Sequence, residues 1–258
     1  MRSLLRHMDI EFERVSAVDG AALAQDFLDG AIDRSPCRPH PSPTEVGCFL
    51  SHRLAWERVA HGSEEYGLVL EDDVIFARNF AKLISSPGIF SGAPDLIRLE
   101  GWKERVRISS RGRALPDGYK LHRMTWDAVG SACYVLSKVA ARKLLDMRPH
   151  YTVPVDVLLF RSTGGLYSEI DIRAVVPAAS FQYLHYHGAA DGAFASTVLR
   201  PRPAKSQNKK PIAIRICNEL ARNVRKFAAA IHAIGMKKID LHPCGGMEPP
   251  GADGGLAA

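Results

Sequence analysis

The sequence predicts an α/β sandwich built around one sheet, and three observations carry that expectation. Short apolar runs of strand length alternate with longer amphipathic segments of helical period. One run, Tyr66-Gly67-Leu68-Val69-Leu70, ends abruptly in three acids, Glu71, Asp72 and Asp73, and turns apolar again at Val74. The 258 residues, 46% hydrophobic and 24% charged, have a globular composition and suffice for one large domain. A buried strand cannot hold three carboxylates in its interior. They therefore sit where the strand emerges, at the rim of a crevice, which is where open α/β sheets bind ligands.

Taken in order, Leu4 to Arg6 reads as the end of a helix, and residues 10–15 alternate apolar and polar as a strand does. Asp19-Gly20 makes a turn, and the proline-rich residues 35–43 form a loop. Ser42 with Glu45 three positions later is a capping box. It opens a helix over residues 44–61, with Val46, Phe49, Leu50, Leu54 and Val59 on one face and Gly62 as its stop. After the acidic strand come a helix over residues 79–85 and a short strand over residues 95–99. Residues 101–123, dense in Arg, Gly and Lys, form a hairpin or ordered loop. Residues 132–136 make another buried strand, and Ser137 caps the helix after it. Residues 154–160 are apolar but for Asp156, and residues 174–176 precede Pro177 and an aromatic stretch bearing His185 and His187.

The expected division is a domain over residues 1–200, a linker over 201–211, a basic amphipathic helix over 212–240 and a disordered tail over 241–258. The net charge of +6 is concentrated: residues 200–240 hold eleven Lys/Arg against two acids. Charge confined to one terminal helix, without an aromatic-basic platform, argues against a nucleic-acid partner. Five scattered cysteines without a C-x-x-C pair argue against a disulfide framework or a structural zinc site, and for a reducing, cytoplasmic setting. No apolar stretch approaches the ~18 residues that a membrane span needs. Neither G-x-G-x-x-G nor G-x-x-x-x-G-K-[ST] occurs, so no glycine-rich phosphate loop is available.

Three neighbouring carboxylates repel one another unless something positive sits among them. Mn²⁺ or Mg²⁺, hard cations that accept carboxylates together with substrate phosphates, is the expected cofactor. The alternative from residues alone is a solvated loop or a helix cap.

Several segments together resemble glycosyltransferase family 25, the lipopolysaccharide and lipooligosaccharide galactosyltransferases. Glu45-Val46-Gly47-Cys48-Phe49-Leu50-Ser51-His52 is similar to its E-x-G-C-x-x-S-H signature, and Leu70-Glu71-Asp72-Asp73 to its L-E-D-D element. Ala17-Val18-Asp19-Gly20, Gly130 to Ser137, Pro154-Val155-Asp156 and Phe181-Gln182 match further elements in order, covering residues 10–200. The resemblance implies a GT-A-like fold and an inverting transfer of a sugar, galactose from UDP-galactose, onto a lipid-linked saccharide acceptor. It implies that Asp73 holds the metal with Glu71 or Asp72; from the residues themselves, His187 and His185 are candidates to add an imidazole to the metal or the diphosphate. Glu71, Asp72, Ser51, His52, Gly130 and Ser131 would then face the donor. Asp156, an acid in an apolar segment, is the first candidate for the general base and Asp127 the second. Trp102 and Trp126 are candidates for stacking on a sugar.

The basic helix would hold the protein peripherally on the anionic inner membrane face, near its acceptor. The resemblance also implies a strand and basic helix ahead of residues 1–6. From this come the expectations of an upstream start, or of an impaired relative that binds a nucleotide sugar or glycan without turnover.

Overall fold

A computed structural model describes residues 1–32, 40–101, 105–125, 127–147, 153–161, 166, 169–183, 236–240 and 247–248. Its helices are α1 (Arg2–His7), α2 (Gln25–Ala31), α3 (Pro43–His61), α4 (Phe80–Ile84), α5 (Lys138–Asp146) and α6 (Val155–Phe160). The strands are β1 (Tyr66–Leu70), β2 (Val74–Ala77), β3 (Leu96–Arg98), β4 (Arg105–Ser109), β5 (Arg113–Ala114), β6 (Lys120–Arg123), β7 (Cys133–Ser137), β8 (Ile172–Val176), β9 (Ser180–Gln182), β10 (Met236–Asp240) and β11 (Met247–Glu248).

Six strands form a mixed sheet in the order β1-β7-β3-β8-β6-β5, with only β3 and β8 parallel. Side-chain alternation divides the core between its two faces. Leu96, Tyr134, Leu136, Ile172 and Ala174 point toward α3, α5 and α6. Ile97, Leu99, Cys133, Val135 and Val175 point the other way, toward α1, α4 and β2. The expected sandwich of helices on one sheet is therefore present. Each large apolar side chain fully buried in it contributes about 1.5–3 kcal/mol.

The capping box on α3 forms as its sequence predicts: the Ser42 hydroxyl accepts from the Glu45 amide, and the Glu45 carboxylate from the Ser42 amide. The buried face of α3 differs from the expected one. His52 and Trp56 sit on it beside Val46, Phe49 and Ala60, while Leu54 is exposed. Residues 10–15 form no strand. Residues 10–20 run along α3 instead, with Glu13 paired to Arg58 at 3.0 Å and the Val18 amide donating to Ser51 Oγ at 2.9 Å. Their backbone reaches so close that a Cβ on Gly47 would lie 2.5 Å from the Gly20 nitrogen, so glycine is required there.

Residues 101–123 contain the β5–β6 hairpin, as expected. Most of the expected basic helix lies outside the described residues. Its last five residues form β10, antiparallel to β4, and Met247–Glu248 of the expected tail pair with β2. Among the described residues no helix is long and apolar enough to cross a membrane.

Candidate functional site

The acids lie in the turn between β1 and β2, where β1 leaves the main sheet and β2 joins β9. Two backbone bonds fix that turn: the Glu71 amide donates to the Ala132 carbonyl at 2.8 Å, and the Tyr183 amide to the Asp73 carbonyl at 2.8 Å. The carboxyl ends of β1 and β3, the start of β7 and the end of β9 thus converge beneath α3.

Glu71 is saturated with donors. Gln182 Nε2 donates to its Oε2 at 3.0 Å, and His52 Nε2 and Ser131 Oγ approach Oε1 at 3.3 and 3.5 Å. His52 is itself held from behind, its Nδ1 2.9 Å from the Tyr134 hydroxyl, which accepts from Trp56 Nε1 at 2.7 Å. A bare Nε2 would set a lone pair against a carboxylate lone pair, so Nε2 carries a hydrogen and donates to Glu71. In the neutral ring Nδ1 then accepts the Tyr134 proton, which gives one direction of donation from Trp56 through Tyr134 and His52 to Glu71. Burial alone would push the Glu71 carboxyl up. The hydrogen bonds from His52, Gln182 and Ser131 outweigh it and hold the acid below its ordinary range.

Asp73, two residues on, has the opposite environment. Its Oδ1 is buried and has no hydrogen-bond partner. Burial, then the charges of Glu71 and Asp72, push its carboxyl up to about 6. Asp72 between them is exposed. A buried, unpartnered carboxylate oxygen beside two other acids fits a hard cation, so the donor set at Asp73 suits Mn²⁺ or Mg²⁺. The two Glu71 oxygens are already occupied by hydrogen bonds, which places the expected pair of ligands in different roles.

A second acid, Glu100, was not foreseen from sequence. It is fully buried, accepts from the Ala132 amide at 2.9 Å, and lies 3.9 Å from the equally buried Arg98. Burial pushes it up to about 8, against the pull of Arg98. The Arg98 guanidinium donates instead to the carbonyls of Gly130 and Val129 and lies over the Phe160 ring, 4.9 Å from its centroid. The available signal was Leu96-Ile97-Arg98-Leu99-Glu100: two charges on alternate positions of an apolar run share one face.

The remaining expected residues divide clearly. Gly130 has φ +86°, a conformation that favours glycine, and its amide donates to Asp156 Oδ2 at 3.2 Å. The other Asp156 oxygen accepts from the Val157 amide at 2.8 Å, so this acid ties the Gly130 loop to the start of α6. Ser51 faces away from the cluster: its hydroxyl donates to the Gly47 carbonyl at 2.8 Å and accepts from Val18. Asp127 is half-buried in the loop before Gly130. His185, His187, Trp102 and Trp126 lie outside the described residues.

This geometry stands on a chain whose residues 1–159 match the family described as glycosyltransferase family 25 (LPS biosynthesis protein). The chain belongs to glycosyltransferase family 25. Among similar proteins is a glycosyltransferase 25 family member of Aedes aegypti, 32% identical over 162 residues, which are 58% of this chain and 25% of that protein. Procollagen galactosyltransferase 2 of Homo sapiens is 31% identical over 170 residues, 62% of this chain and 27% of its own. Inactive glycosyltransferase 25 family member 3 of Mus musculus is 35% identical over 176 residues, 62% and 28%. The chain thus spans about a quarter of the length of these family 25 relatives.

Proposed function

We propose that this chain is a family 25 glycosyltransferase that moves a hexose, galactose from UDP-galactose, with inversion onto a saccharide acceptor. The carrying observation is the buried, unpartnered Asp73 oxygen beside Glu71 at the end of β1. Asp73 would hold a divalent cation, which when bound supplies positive charge for the diphosphate leaving group. Glu71, kept ionised by His52, Gln182 and Ser131, sets the negative potential of the turn and orients the amide of Gln182. The Gly130–Ser131 loop, held by Asp156 and Arg98, forms the wall facing the turn.

Inversion requires a carboxylate to take the acceptor hydroxyl proton on the face opposite the leaving group. We assign that role to Asp156 ahead of Asp127, because Asp156 Oδ2 accepts from the Gly130 amide at 3.2 Å and so lies against the loop that faces the acids. The proposed acceptor is a lipid-linked surface saccharide, as the family description supports. Peripheral contact with an anionic inner membrane face would be made by the basic residues 200–240.

The test is transfer from a panel of UDP-sugars to glycolipid acceptors with Mn²⁺, run on wild type, Asp73→Asn, Asp156→Asn and Asp127→Asn. Asp73→Asn should abolish the metal-dependent rate, and Asp156→Asn should lower it about 10²–10⁴-fold. Metal-independent transfer that survives Asp73→Asn overturns the mechanism. A greater loss in Asp127→Asn moves the base to that residue. A second reading, a binding relative without turnover, is favoured by the 35% identity to a mouse protein named inactive. UDP and Mn²⁺ binding by calorimetry without transfer to any acceptor would select it. Sedimentation with anionic vesicles, with and without residues 205–240, tests the membrane contact separately.

A further inference from the structure

Cys48 has no part in the proposed transfer, yet it stands against the same turn. It lies four residues before His52 on α3, so the two side chains leave one face of the helix a turn apart. One donor atom from each, together with a carboxylate oxygen of Glu71, lie within 4.8 Å of one another. Sulfur, imidazole nitrogen and carboxylate oxygen form the donor set of borderline cations such as Zn²⁺ and Co²⁺, whereas Mn²⁺ and Mg²⁺ prefer oxygen alone. Ligand atoms around tetrahedral zinc sit about 3.3–3.8 Å apart, given the usual bond lengths, so closure from the observed spacing takes a side-chain adjustment of about 1 Å.

One further feature supports the arrangement. The His52 ring is oriented from behind by Tyr134, itself anchored by Trp56, so that once Nδ1 carries the hydrogen it meets an outer partner of the kind that ligating imidazoles have.

We propose that Cys48, His52 and Glu71 form a binding site for a Zn²⁺-type cation, with one coordination position left open. On binding, the Cys48 S–H bond breaks, its proton goes to solvent, and a sulfur–metal bond forms. Nε2 of His52 gives up its hydrogen as Nδ1 gains one, so the ring stays neutral. Nδ1–H then donates to the Tyr134 oxygen, whose second lone pair is not used by Trp56. Glu71 exchanges its contact with His52 for the metal and keeps Gln182. The site shares His52 and Glu71 with the turn that the proposed transfer uses, taking the Glu71 oxygen that faces His52, and its readout is metal binding rather than sugar transfer.

Titration of the purified, reduced full-length chain with Co²⁺, followed by absorption, tests the proposal. Wild type should bind one equivalent with tetrahedral d–d bands and a near-ultraviolet thiolate-to-cobalt charge-transfer band. Zn²⁺ should bleach the spectrum at equal concentration, and excess Mn²⁺ should not. Cys48→Ser and Cys48→Ala, each checked for native fold by circular dichroism, should lose the charge-transfer band. Absence of that band in wild type, its persistence in both variants, or equal displacement by Mn²⁺ overturns the proposal.

Discussion

Two carboxylates flank the start of β7 and are displaced in opposite directions. Glu71 takes Ser131 on one side of the strand's entry; Glu100 takes the next amide, that of Ala132. Glu100 has a guanidinium 3.9 Å away, yet it rises to about 8. Glu71 has an imidazole, an amide and a hydroxyl, and falls below its ordinary range. Proximity to a cation is therefore the weaker influence. What decides is how many donors point at the carboxylate and whether the cation is free to be one of them. Arg98 is not, because its two Nη groups serve Gly130 and Val129, while its Nε and one Glu100 oxygen are both left without a partner.

The strongest way to disturb this contrast is Gly130→Ala. A Cβ there would lie 2.6 Å from Glu100 Oε1, on a backbone with φ +86°, so the loop or the acid must move. A loss of about 3 kcal/mol in denaturant unfolding is expected. Tyr134→Phe acts on the other corner and leaves the Trp56 N–H and a His52 nitrogen unpartnered, for a loss of about 2 kcal/mol. The same measurement checks it, and an unchanged midpoint would deny the chain of donation to Glu71.

Glu100→Gln probes the same contrast through pH. Folded Glu100 keeps its proton up to about 8, whereas an unperturbed glutamate loses it near 4.5. The native state binds the extra proton across that window, so its contribution to stability falls as pH rises from 4.5 to 8. The Gln variant should lack this fall and gain on wild type with rising pH, levelling off above about 8. Asp73, raised to about 6, contributes a slope of the same sign at lower pH that remains in the variant. Thermal melts across pH 4–9 read the difference, where parallel curves would refute it. Ser51→Ala is the smallest change, about 1 kcal/mol from one lost hydroxyl, with UDP–Mn²⁺ affinity unaltered by calorimetry.

Much of the scaffold was legible locally. The capping box before α3, the Ser137 cap of α5 and the apolar runs of β1, β3 and β7 all depend on residues a few positions apart. Residues 10–15 misled because their alternation suits a sheet edge and a helix surface equally well; Ser51, which holds the chain just after them at Val18, is 33 positions further on. The face of α3 misled because hydrophobicity ranks Leu54 above His52, and only the Tyr134 hydroxyl and Glu71 make burial of an imidazole favourable. Ser51 sat in the right motif but points to the backbone rather than into the cleft.

The family, the α/β class, the elements from α3 through β1, and the place where acids gather at a strand end were all readable from the chain alone. These follow from apolar period, capping chemistry and the intolerance of a buried strand for charge. Tertiary structure decided how Glu71, Asp73 and Glu100 divide their roles. Gln182 reaches Glu71 from 111 positions along the chain and Ser131 from 60, while no donor reaches Asp73 Oδ1. A carboxylate's charge state depends on the donors that converge on it in space, and no local pattern encodes that convergence.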